Sequence, residues 1–291
     1  MSGTGERLRA IPADYDRRCL AAIDARLAQI KAEHRVGIGL AIESGSRAWG
    51  FPSPDSDFDC RFIFVRRLED YLSPWPKRDV IETPLVDELD VNGWELGKAL
   101  RLLLKGNAVV VEWLMSPIVY DGDPGFLEEL RALAAAHADA AGTQRHYLHL
   151  GEGQRKTYFA PGKPVQLKKL FYALRPAAAL RWLRLHPGHA VAPMHFPTLL
   201  EESQPPPELR TLAEELIARK AQTRELGSAP LPPVIEAFVD SEFALARELF
   251  PARSGPPSMQ AKAEASAFFR RWVERLAAAS TPAPEAATSD S

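Results

Sequence analysis

The chain has 291 residues, 46% of them hydrophobic and 25% charged, with a formal net charge of −2; this is an ordinary soluble globular composition with room for one large domain or two small ones. The two cysteines, Cys19 and Cys60, exclude a disulfide framework and a cysteine-rich zinc site and read as core thiols of a cytoplasmic protein. No apolar run approaches the roughly 20 residues of a membrane span, MSGTGERLRAIP lacks the apolar core of a secretory signal, and the near-neutral balance leaves nucleic-acid contact to local charge.

Residues 14–35 carry Leu20, Ile23, Leu27 and Ile30 at helical spacing, with Asp14 near the start, and predict an amphipathic helix packed on a sheet. An apolar run from Gly37 to Ile42 reads as a strand and ends in the turn Gly45-Ser46. One or two helical turns fit Ser46 to Phe51 before Pro52, Pro54 and Asp55 break the chain, and Phe58 to Val65 reads as a second strand.

Asp57 and Asp59 stand at the entrance to that second strand. Residues two apart in an extended chain point the same way, so the two carboxylates project together. Side by side and ionised, they repel unless a cation lies between them, and a hard ion such as Mg²⁺ takes such oxygen ligands while keeping places for water and phosphate. Gly45 lets backbone approach a ligand closely, and free N–H groups at a helix start attract phosphate. A phosphate cradle beside a metal clamp describes metal-dependent phosphoryl or nucleotidyl transfer. Ser46 also suits a helix cap, a role compatible with phosphate binding. Arg47 reads equally as a triphosphate ligand and as a surface charge; Arg61 and Arg66 read as strand-edge charges.

Residues 67–84 suggest a helical turn and a Pro-punctuated loop. Leu85 to Val91 then reads as a strand ended by Gly93, carrying Asp87, Glu88 and Asp90, with a helix from Glu95 to Lys105. Residues 107–120 read as a short apolar core helix that ends before Pro117 and includes Trp113 and Met115, and 124–141 as an alanine-rich one. From 141 to 185 the composition turns basic: Arg145, Arg155, Lys156, Lys163, Lys168, Lys169, Arg175, Arg181 and Arg184 face one acid, Glu152. Two helices fit, 142–160 and 164–186, joined at Pro161-Gly162, with Pro176 as a possible break in the second. Lys168, Tyr172 and Arg175 share a face there, and with Lys169 they suit a triphosphate or an RNA end. His186, His189 and His195 read as loop histidines, not zinc ligands. Helices at 207–226, 232–250 and 260–279 suggest a small bundle, and STPAPEAATSDS a disordered tail.

ESGSRAWGFPSPDSDFDCRFIFV, with Gly-Ser followed by Ser-Asp-x-Asp and an apolar strand, resembles the DNA polymerase β-like nucleotidyltransferase superfamily. Together with DVNGWELGKALRLLLKGNAVVVEWLMSPIVY and LKKLFYALRPAAALRWL, it resembles more narrowly the bacterial and phage nucleotidyltransferase family linked to RNA repair, over residues 35–200. The resemblance implies an α+β fold: a small mixed β-sheet nucleotidyltransferase core with flanking helices, then an all-helical C-terminal region. The expected division is a catalytic domain at 1–120, a helical domain with a basic face at 121–279 and a tail at 280–291.

The resemblance further implies transfer of a nucleoside monophosphate from an NTP to a hydroxyl acceptor, an RNA end, with Mg²⁺ or Mn²⁺ as cofactor. Gly45 and Ser46 would hold phosphates, with Arg47, Lys168, Lys169, Tyr172 and Arg175 as further nucleotide ligands. Asp57, Asp59 and Asp90 would hold metal, with Glu88 the second choice for the third carboxylate. Rival readings are an RNA-binding module without turnover, an antitoxin-like partner, and an adenylyltransferase acting on a small molecule or protein.

Overall fold

The computed structural model describes residues 7–160, 162–250 and 255–279; Pro161 at the expected helix junction and the 280–291 tail lie outside the described residues. Helix α1 (Arg17–His34) buries Ile23, Leu27 and Ile30 along one stripe. Its cap is Asp16, not Asp14: the Asp16 carboxylate accepts the backbone N–H groups of Arg18 and Cys19.

The sheet comprises β1 (Gly37–Glu43), β2 (Phe58–Val65), β3 (Val80–Glu82), β4 (Leu89–Glu95) and β5 (Val119–Gly122), in the spatial order β3-β4-β2-β1-β5. β2 and β4 run parallel, and the other neighbours are antiparallel. Short helices α2 (Gly45–Ala48) and α3 (Leu68–Tyr71) flank β2, while α4 (Leu96–Leu103) and α5 (Ala108–Leu114) link β4 to β5. The fold is therefore α+β with a mixed sheet, as expected.

Two boundaries differ from the sequence reading. The third acidic strand begins at Leu89, because Asp87 takes a left-handed conformation (φ 52°) and Val86 bridges to Leu89 in a turn. The strand then runs through Gly93, which lies under the Phe62 ring; a Cβ there would meet that ring at 2.1 Å. The short helix expected to end before Pro117 runs from Ala108 to Leu114. The Ser116 hydroxyl donates to the Glu43 carbonyl at 2.7 Å, and beyond Pro117 the chain runs along β1 as the edge strand β5.

The remaining helices are α6 (Pro124–His137), α7 (Ala140–Tyr158), α8 (Leu170–Leu185), α9 (Phe196–Ser203), α10 (Pro207–Gln222), α11 (Pro233–Leu249) and α12 (Met259–Ala279). Pro176 sits inside α8 without splitting it. α7 to α11 enclose one core, into which Phe51 from the first half of the chain inserts. The opposite faces of the sheet carry two further cores, one under α1 and one under α4, α5 and α6.

α12 joins the sheet core and not a bundle with α10 and α11. Ala261, Ala265, Phe268 and Trp272 form a continuous apolar stripe that packs with Leu40, Ile42 and Ile63. Trp272 is fully buried, and its indole N–H donates to Glu129 on α6 at 3.1 Å. Burial of that aromatic stripe is what draws the helix back. Among the described residues no helix is long and apolar enough to cross a membrane.

Candidate active site

The parallel pairing of β2 with β4 sets Asp59 directly beside Asp90. Alternation along β2 then puts Asp57, Asp59 and Arg61 on one face. The Arg61 guanidinium lies between the paired carboxylates, donating to Asp59 Oδ1 at 3.0 Å and Asp90 Oδ2 at 2.7 Å. The other Asp90 oxygen accepts from the Asn92 amide at 2.6 Å. Asp57 is exposed at the rim, and its carboxylate has no hydrogen-bond partner among the described residues. Burial raises the Asp59 pKa; the Arg61 charge opposes that shift, while Asp90 and Asp57 reinforce it.

The Gly-Ser turn closes over this face. The Ser44 backbone N–H donates to the Asp59 carbonyl at 2.8 Å, and Gly45 adopts φ 58°. A Cβ at Gly45 would stand 1.9 Å from Asp59 Oδ2, so only glycine fits. The Ser46 hydroxyl donates to Ser56 Oγ at 2.9 Å and forms no helix cap. Arg47 is turned back onto the loop: its guanidinium lies 3.8 Å from the Phe58 ring centroid and donates to the carbonyls of Ser56 and Asp57 at 2.5 and 3.1 Å. It braces the approach to Asp57 and does not enter the cleft.

Behind Asp59 is a residue the sequence reading did not single out. Glu43, at the end of β1, is fully buried; its carboxyl accepts the Asp59 backbone N–H at 2.9 Å and the Tyr120 hydroxyl, which in turn meets the hydroxyl of Tyr15. Burial pushes the Glu43 pKa up to about 7, against the pull of those hydrogen bonds.

The opposite wall comes from the helical half. A cleft of about 410 Å³ is lined by Gly45, Ser46, Asp57, Asp59 and Arg61 on one side and by Lys168, Lys169, Tyr172 and Lys220 on the other. Lys168 is paired with Glu225 at 2.5 Å. Lys169 has no ionic partner among the described residues; its ammonium lies 4.8 and 5.1 Å from the ring centroids of Tyr172 and Tyr158. Lys220, from α10, reaches across to donate to the Phe51 carbonyl at 2.5 Å, and burial lowers its pKa to about 8.

Phe51 stacks on Phe171 at 4.5 Å and anchors the Gly-Ser segment to α8. Arg175 belongs elsewhere. It is 4% exposed, its guanidinium forks onto both oxygens of Glu112 at 2.8 and 3.0 Å, and Tyr147 completes the group. The face expected to unite Lys168, Tyr172 and Arg175 divides because Lys168 lies in a 3₁₀ turn (Leu167–Lys169) before α8 begins.

Over residues 20–271 the chain matches the RNA repair pathway DNA polymerase beta family, a span that takes in both walls of the cleft. The chain belongs to that family. The uncharacterized protein YcgL of Bacillus subtilis (strain 168) is 42% identical over 216 residues, covering 74% of this chain and 82% of its own. A nucleotidyltransferase-like protein from Exiguobacterium sibiricum 255-15 aligns over 88% of this chain and 80% of its own, with 14% identity and a TM-score of 0.29.

For a member of this family, a divalent ion is the expected cofactor. Asp57 and Asp59 supply hard oxygen donors to the same cleft, and they fit such an ion. Asp90 is engaged by Arg61 and Asn92, and among the described residues no three acidic, histidine or cysteine side chains gather in the arrangement of a metal centre. Glu88 contributes its carbonyl, which accepts the Phe58 N–H at 2.7 Å. Arg61 was detectable by the same alternation that pairs Asp57 with Asp59. Glu43 had a weaker signal, an acid closing an otherwise apolar strand. Lys220, in a helix far along the chain, had none.

Proposed function

We propose that this protein moves a nucleoside monophosphate from an NTP to the hydroxyl of an RNA end, with release of pyrophosphate. The observation that carries the reading is the single cleft in which Asp57 and Asp59, under Gly45-Ser46, face Lys169 and Lys220. The acidic wall suits the reacting phosphate and its metal; the basic wall suits the leaving phosphates. Gly45 and Ser46 hold the β- and γ-phosphates, joined by Lys169, Lys220 and, once freed from Glu225, Lys168. Tyr172 supplies an aromatic edge to the same wall.

Asp57 and Asp59 would hold Mg²⁺ or Mn²⁺, and the bound ion would neutralise phosphate charge and lower the acceptor hydroxyl's pKa. The acceptor oxygen bonds to the α-phosphorus as the bond to pyrophosphate breaks, and Asp90, released from Arg61, takes the acceptor's proton. Arg61 acts as the resident counter-charge that keeps the carboxylates together before substrate arrives. The RNA acceptor rests on the family's description, and the two free thiols suit a cytoplasmic setting.

The test is incubation of the protein with labelled ATP, CTP, GTP or UTP and Mg²⁺ or Mn²⁺, against tRNA, nicked RNA and a control without RNA. RNA-dependent incorporation that Asp57→Ala and Asp59→Ala abolish is the expected result. Full labelling by either variant would overturn the assignment; RNA retained without incorporation would make the protein a binding module.

A further inference from the structure

A second cavity, of about 250 Å³, adjoins the cleft and shares Ser44, Trp49 and Tyr172 with it. Its far wall is a stripe of α7 in which His146, Leu150 and Gln154 recur every fourth residue and so line up along one side of the helix. Leu150 is 37% exposed, although Tyr147 and Leu148 beside it are buried. The His146 ring and the Gln154 amide have no hydrogen-bond partner among the described residues. Burial lowers the His146 pKa, so at neutral pH its ring offers one donor and one acceptor, as the Gln154 amide also does. The charged residues of this wall, Glu112 and Arg175, are ion-paired with each other; Tyr147 also donates to Glu112, and the Arg175 guanidinium lies 4.2 Å from the Trp49 ring centroid. The cavity is therefore uncharged, apolar across its middle and capable of hydrogen bonding at both ends, while the cleft beside it is ionic.

We infer that this cavity takes the nucleobase of the nucleotide whose phosphates occupy the cleft. A nucleotide has this division: a polyanion at one end and, at the other, a flat neutral ring edged with donors and acceptors. Trp49 and Tyr172 line both spaces at the junction; a cation already lies over each ring, Arg175 at 4.2 Å from the Trp49 centroid and Lys169 at 4.8 Å from that of Tyr172, so a base would meet their remaining aromatic surface. Gln154 and His146 meet the ring's polar edge, and Leu150 lies against its face. The inference rests on the reading of the cleft as an NTP site and adds the side on which the base enters.

Calorimetric titration of the full chain with non-hydrolysable NTP analogues and with inorganic tripolyphosphate, both with saturating Mg²⁺, tests it. Wild type should bind the NTP analogue more tightly than tripolyphosphate. Gln154→Ala should weaken the analogue about five-fold, the loss of one hydrogen bond. Leu150→Trp, which fills the cavity, should reduce the analogue to the affinity of tripolyphosphate. Tripolyphosphate binding should be unchanged in both, which also reports an intact fold. Wild-type affinity for the analogue in both variants, or a wild type that gains nothing from a base, overturns the base pocket and leaves the phosphate cleft standing. A wild type that binds neither ligand overturns both.

Discussion

Gly45 and Asp59 are packed so closely that a methyl group on the glycine would lie 1.9 Å from Asp59 Oδ2. The Gly-Ser turn and the aspartate pair are therefore one unit, further tied by the Ser44 N–H to the Asp59 carbonyl. Gly45→Ala must either displace the Asp59 carboxylate or open the turn, and it also places alanine at φ 58° at a cost of about 1 kcal/mol. The expected outcome is a modest fall in melting temperature with a loss of nucleotidyl transfer of at least about 100-fold, measured by incorporation of labelled NTP. Wild-type turnover by this variant would separate the turn from the chemistry.

Arg61 is ion-paired with two carboxylates of the site at once. Arg61→Met leaves Asp57, Asp59 and Asp90 without that charge, so folding stability in EDTA should fall by about 2 kcal/mol, a few degrees in melting temperature for a chain of this size. Mg²⁺ should restore more of the melting temperature in the variant than it adds to wild type. Equal Mg²⁺ dependence in the two proteins would remove Arg61 from the role of internal counter-charge.

Glu43 makes stability depend on pH. Its folded pKa, about 7, lies above the ordinary carboxylate value of 4.5, so the folded state holds the proton more tightly. The stabilisation is complete below pH 4.5 and is lost as pH rises through 7, on the order of 3 kcal/mol in all. Glu43→Gln keeps the shape and removes the titration. In metal-free urea melts from pH 4.5 to 7.5, wild type should lose stability relative to the variant as pH increases; parallel curves would show that Glu43 is already ionised.

Lys220 predicts the opposite kind of readout. Its pKa is lowered to about 8, so its charge is present below that pH and disappears above it. For folding, the cost of burying the charge is fully present below pH 8 and is relieved as pH rises toward the ordinary lysine value. For ligand binding, tripolyphosphate affinity of wild type should decline as pH rises from 7 to 9. Lys220→Met should bind more weakly at pH 7 and follow a flatter profile. An unchanged profile would place Lys220 outside phosphate binding.

Arg175 gives a structural contrast with the lysines. Arg175→Met leaves Glu112 buried without its partner and should cost about 3–5 kcal/mol of stability, read by chemical denaturation. Below the melting range, its tripolyphosphate affinity should match wild type. Lys169→Met should do the reverse, weakening tripolyphosphate with little change in stability.

By itself the sequence determined what depends on near neighbours along the chain. The apolar stripe of α1, the two strands around the Gly-Ser turn and the common side of Asp57 and Asp59 follow from spacing and local motif, because side-chain direction in a helix or strand is set by its period. The tertiary structure alone decided which charge meets which. It placed Arg61 between Asp59 and Asp90 through the register of β2 and β4, sent Arg175 to Glu112 and away from the cleft, brought Lys220 from α10 to the carbonyl of Phe51, and returned α12 to the sheet. An ionic partner or a buried stripe is chosen by whichever distant segment packing brings within a few ångströms, and no local period records that choice.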